Sequence, residues 1–128
     1  REKIEEAKNE ASKQYYPFRN GTKGFEHLEE DIEYFAELGL DLYRFSISWS
    51  RLFPKGIEEE PSQEGVAYYD KVFQLLAEKK IKIFLTLNHY AMPIYLVEQY
   101  GGWKGRECID FECTYLLARY LLIRYISN

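Results

Sequence analysis

Two β-rich runs, LDLYRFSISW at residues 40–49 and IKIFLTLN at 81–88, stand about thirty residues apart, with a loop and one helix-like stretch between them. Strands separated in this way cannot pair as a hairpin; they lie parallel, joined by a right-handed crossover. In the first run Tyr43, Phe45 and Ile47 alternate with Leu42, Arg44, Ser46 and Ser48, the two-residue period of a strand. Parallel sheets are stable with both faces covered and with more strands than two. The sequence therefore reads as α/β and as a piece of a larger barrel or sheet, whose further strands would precede Arg1 or follow Asn128.

The helices around these runs follow from apolar spacing. Phe25, Leu28, Ile32, Phe35 and Leu38 recur at intervals of three and four over residues 24–38, and Gly39 stands where a left-handed cap belongs. Pro54, Gly56 and Pro61 mark a loop, and Ser62 is placed to cap a helix whose stripe is Val66, Tyr69, Val72, Phe73 and Leu76. Lys79 and Lys80 suit the negative end of that helix. Pro93 opens a short helix at a first-turn position, Gly101-Gly102 breaks it, and a long helical segment is expected over 106–125. The chain is expected to be one unit over 1–128, with a loosely ordered lead-in at 1–22 and the barrel segment at 24–128.

Composition excludes several classes of function. The 128 residues are 46% hydrophobic and 17% aromatic, enough for a packed core. The net charge of −4, with Lys and Arg scattered among the acids, lacks the basic stripe of a nucleic-acid binder. No apolar run approaches the roughly 20 residues of a membrane span and the start is charged throughout, so neither a membrane partner nor a signal peptide is expected. Cys108 and Cys113, five apart in a helical stretch, point to different faces and suggest reduced thiols, hence the cytoplasm. There is no P-loop, no GxGxxG, no GxSxG elbow and no zinc-type Cys/His spacing, so neither a cofactor nor a metal is expected.

In parallel α/β folds functional side chains gather at the carboxyl ends of strands. His89 and Tyr90 stand there, after the second run: the imidazole can donate to a hydroxyl and the ring can form an apolar wall. A His that bonds a loop carbonyl is the plain alternative. Arg44, mid-strand among apolar neighbours, calls for a carboxylate or phosphate opposite it, unless the strand is an edge with the side chain in solvent. Trp49 and Trp103 read as core or loop anchors rather than sugar platforms, and Glu58, Glu59 and Glu60 as a solvated loop.

YRFSISWSRLFPKG at 43–56, followed about thirty residues later by TLNHY-x-MP at 86–93 and then YGGW at 100–103, resembles the N-terminal part of the family 1 glycoside hydrolases. EEDI at 29–32 resembles that family's KEDI helix, and the similarity runs from about Tyr16 to Arg106. The family folds as a (β/α)8 barrel and cleaves β-linked sugars with retention, so the resemblance implies a partial TIM barrel holding strands two and three. It implies that Arg44 supports the nucleophilic glutamate from beneath, that His89 contacts sugar hydroxyls, and that Tyr90 forms the aromatic wall. HYAMP with YGGWK is closest to the 6-phospho-β-glucosidase branch, where HYEMP is common, whereas plain β-glucosidases read HWDLP. Ala91, and Glu26-His27 in place of a His-Arg pair, depart from the pattern.

A retaining glycosidase needs two carboxylates about 5 Å apart. The family's acid/base motif TFNEP and nucleophile motif ENG are both absent, so the resemblance implies a truncated chain with no catalytic residue of its own, inactive in isolation. ARYLLIRYISN at the end resembles the stretch before strand four. The substrate implied is a β-glucoside or a 6-phospho-β-glucoside. The alternatives are a plain β-glucosidase fragment, or a non-catalytic interaction module that self-associates through uncovered strand edges. A small flavodoxin-like domain would require more strands and a nucleotide loop.

Overall fold

A computed structural model describes residues 22–109. Helix α1 spans Leu28–Glu37, strand β1 Leu42–Ser46, the short helix α2 Trp49–Leu52, helix α3 Gln63–Glu78, strand β2 Lys82–Thr86 and helix α4 Ile94–Tyr100, before a 3-10 turn at Gly102–Lys104. The two strands pair parallel, in the register Leu42↔Lys82, Arg44↔Phe84 and Ser46↔Thr86. The result is a two-stranded α/β fragment with a crossover helix, and not a closed barrel.

α1 begins at Leu28, four residues later than its apolar spacing predicts. Residues 23–27 form a turn instead, in which the Glu26 and His27 amides donate to the Lys23 carbonyl. Phe25 leaves the stripe to pack its ring 4.8 Å from that of Tyr68. Glu29, Glu30 and Asp31 lie in the first turn of α1, where negative charge suits the helix dipole. The expected glycine stop is present: Gly39 has φ +71°, and its amide donates to the Ala36 carbonyl at 3.0 Å.

α3 starts as the sequence predicts, with Ser62 Oγ accepting from the Gly65 amide at 3.3 Å. Gly65 is also where α3 crosses α2, because a Cβ there would stand 2.3 Å from the Arg51 carbonyl oxygen. The ion pairs Lys71–Glu29 and Lys79–Glu33 tie α3 to α1. Pro93 is the residue before α4 rather than within its first turn, and Gly101 closes the helix in the left-handed conformation, φ +75°. The lead-in at 1–21 and most of the long helix expected over 106–125 lie outside the described residues, though 107–109 are helical.

One face of the sheet carries Tyr43, Phe45 and Ile83, packed against Ile32, Val72, Leu76 and Ile81, together with Leu85, which with Phe45 reaches a second cluster. That cluster lies beyond the carboxyl ends of the strands, built from Ile47, Trp49, Leu52, Phe53, Val66, Tyr69, Leu96 and Cys108. Leu42, Arg44, Lys82 and Phe84, on the opposite face, are exposed. No helix among the described residues is long and apolar enough to cross a membrane.

Candidate functional site

The loops that follow β1 and β2 leave the same end of the parallel ladder and pack together. β1 continues past Ser46 through Ile47, whose amide donates to the Thr86 carbonyl at 3.0 Å, so the two strand ends stay joined until the chain turns. Ser48 then occupies the N-cap position of α2 without a side-chain capping bond, and its amide donates to the Tyr69 hydroxyl at 2.7 Å. Tyr69 is buried, and burial pushes its phenol above the ordinary range, opposed by that same hydrogen bond from Ser48. The hydroxyl therefore stays protonated at neutral pH and fixes the first turn after β1 to helix α3.

Arg44 lies mid-strand on the uncovered face, and its Nε donates to Thr86 Oγ1 at 3.0 Å. Thr86 is on the same face two residues beyond Phe84, the register partner of Arg44, so the guanidinium leans toward the carboxyl end of the neighbouring strand. The carboxylate expected opposite it is not among the described residues. Among the described residues no ion pair neutralises it, and the charge lies on the exposed side of the sheet, where water stabilises it.

His89 and Tyr90 follow β2 by three and four residues. Both are exposed, Tyr90 to 89%, and their rings face one another with centroids 4.9 Å apart at an interplanar angle of 38°. Tyr90 has φ +65°, in the left-handed region that a bulky side chain occupies only when its surroundings impose it. The structure thus sets the His89 imidazole beside the Tyr90 ring at the carboxyl end of a strand, open to solvent. Arg44 joins Thr86, and His89 joins Tyr90, as two separate pairs.

Trp49 is almost fully buried, whereas Trp103 is half exposed and lies against it with ring centroids 6.4 Å apart. Trp49 Nε1 has no hydrogen-bond partner among the described residues. Cys108 is buried, and burial raises its thiol pKa, which leaves it protonated and unreactive at neutral pH; Cys113 lies outside the described residues.

The solvated loop expected at Glu58–Glu60 is corrected at its first member. Glu58 Oε1 accepts from the Lys55 amide at 2.8 Å, and Oε2 accepts from the Gly56 and Ile57 amides at 2.9 and 3.2 Å. A carboxylate two residues after the glycine of a Pro-Lys-Gly turn was a signal for this arrangement, but a run of three glutamates conceals which of them turns inward. The sequence also gave no warning that Arg51 would lie between two rings, 4.4 Å from the Phe25 centroid and 4.6 Å from that of Tyr68.

The model of glycosyl hydrolase family 1 matches residues 8–125. The aryl-phospho-beta-D-glucosidase BglH of Bacillus subtilis is 44% identical over 108 residues, covering 84% of this chain and 23% of that protein. The 6-phospho-beta-glucosidase AscB of Escherichia coli is 39% identical over 80% of this chain and 22% of its own length. Among solved structures, the rice beta-glucosidase Os3BGlu6 superposes with a TM-score of 0.76 at 34% identity, over 84% of this chain and 22% of that one. The chain thus spans somewhat more than a fifth of the length of the relatives it matches.

Proposed function

The chain belongs to glycosyl hydrolase family 1, and on that premise we propose that it supplies one wall of the sugar pocket of a retaining β-glycosidase acting on 6-phospho-β-glucosides. The observation that carries this reading is the exposed His89–Tyr90 pair at the carboxyl end of β2, in a chain 44% identical to an aryl-phospho-beta-D-glucosidase. The imidazole donates to, or accepts from, a sugar hydroxyl, and the Tyr90 ring covers an apolar edge of the same sugar. Arg44, charged at every physiological pH, supports the ionised nucleophile from the uncovered face of β1.

The two carboxylates of a retaining mechanism come from elsewhere in the barrel, since neither TFNEP nor ENG occurs in the 128 residues. On its own the chain binds without hydrolysing. A phosphorylated sugar carries charge that does not cross a bilayer unaided, which favours work in the cytoplasm. The outer edges of β1 and β2, unpaired among the described residues, favour self-association or capture of further strands. The likeness to the rice beta-glucosidase supports a second reading, in which the phosphate is not recognised.

Binding of methyl β-glucoside 6-phosphate and of its unphosphorylated counterpart, followed by NMR titration, tests the proposal. His89→Ala is expected to weaken binding of the phosphorylated sugar about 10-fold or more, the loss of one hydrogen bond to a sugar hydroxyl. Equal affinity of wild type and His89→Ala would remove His89 from the pocket. Equal affinity for the two sugars would replace the phospho-sugar reading with the plain β-glucosidase one. Hydrolysis by the purified chain would overturn the dependence on carboxylates from other strands.

A further inference from the structure

The loop after β1 bears directly on the loop after β2. Gly56 is buried with φ +82°, and a Cβ there would stand 2.6 Å from Leu96 Cδ1 and 3.1 Å from Pro93 Cγ, so the turn at 55–57 is seated against the start of α4 with no space between. Pro93 and Leu96 are themselves fully buried and cannot retreat. What holds the turn in shape is the half-buried carboxylate of Glu58, on which the amides of Lys55, Gly56 and Ile57 converge. Three backbone donors aimed at one carboxylate give charge-assisted bonds, and without it the half-buried Gly56 amide loses its acceptor while those of Lys55 and Ile57 turn to water.

Pro93 is only three residues from Tyr90 and four from His89, and Tyr90 keeps its left-handed backbone only while its neighbours hold it. We infer that Glu58 is a positioning residue for the His89–Tyr90 pair: its carboxylate freezes the 55–57 turn, Gly56 presses that turn on Pro93 and Leu96, and the clamp sets where the two rings stand. Its consequence for sugar binding rests on the function proposed above; the mechanical coupling does not.

The chain has two histidines, which makes the coupling measurable without a ligand. His27 precedes α1 and its Nδ1 lies 3.3 Å from Glu30, so its imidazole resonance serves as an internal control. Glu58→Ala is expected to shift the His89 imidazole resonance, leave that of His27 in place, and speed amide exchange at residues 87–92 by about tenfold or more. Glu58→Gln, which keeps one acceptor oxygen, is expected to give a smaller change of the same sign, and it decides by the same two readings if Glu58→Ala does not fold. A variant that is less stable to heat, yet keeps wild-type His89 resonances and wild-type exchange at 87–92, would reduce Glu58 to a cap of its own turn and overturn the inference. If His89 responds but neither variant nor wild type binds the glucoside, the clamp stands and the proposed function falls.

Discussion

On one face of the β1–β2 ladder Tyr43, Phe45, Ile83 and Leu85 meet α1 and α3; on the other, Leu42, Arg44, Lys82 and Phe84 meet no helix among the described residues. The same five-residue strands supply both sets, so backbone propensity cannot account for the difference. The covered face is apolar and aromatic, and its contact with two helices is what holds the fragment together. The other face mixes large apolar side chains with two cations, a combination that a purely apolar helix stripe could not bury without leaving a charge unpaired. One face builds the fold, and the other is left open among the described residues.

The strongest way to break this comparison is to damage the covered face where it is tightest. Leu76 of α3 is fully buried between α1 and the sheet, and Leu76→Ala is expected to cost about 2–5 kcal/mol of unfolding free energy in urea denaturation. A loss below about 1 kcal/mol would show that the helices are not the main support of the sheet. A smaller effect tests how the covered side governs the strand ends. Tyr69→Phe keeps the ring and deletes the oxygen that accepts from the Ser48 amide, so about 1–3 kcal/mol should be lost, with the added exchange concentrated at Ser48 and α2. A uniform loss would mean that the hydroxyl stabilises the core rather than the turn.

Where the sequence was legible, one local rule sufficed. Alternation separated Tyr43, Phe45 and Ile47 from Arg44, Gly39 marked the end of α1, and Ser62 the start of α3. The failures came from partners far apart in the chain. Phe25 looked like the first apolar position of α1, but its ring is taken up by Tyr68 and the Arg51 guanidinium, two residues on other helices. α2 is four residues long, too short to show a period. His89 and Tyr90 were visible as a motif, whereas the left-handed backbone of Tyr90 leaves no mark in composition. Glu58 was hidden by its identical neighbours.

The smallest expected effect sharpens the comparison most. Phe84 is 57% exposed in the middle of β2 on the uncovered face, beside Arg44 in register. Phe84→Thr keeps a strand-forming residue while removing the ring, and the partial burial at stake is worth at most about 1 kcal/mol. The expected change in unfolding free energy is therefore a small fraction of that at Leu76. A loss equal to that of Leu76→Ala would mean that this face is also buried in solution. Sedimentation velocity would then identify the cover: a loss that grows with protein concentration points to a second copy, and one independent of concentration points to residues of the same chain outside 22–109. In either case Arg44 would share the buried surface, and a guanidinium there requires a carboxylate, so Arg44→Met should then be tolerated far worse than Lys82→Met at the strand's exposed start.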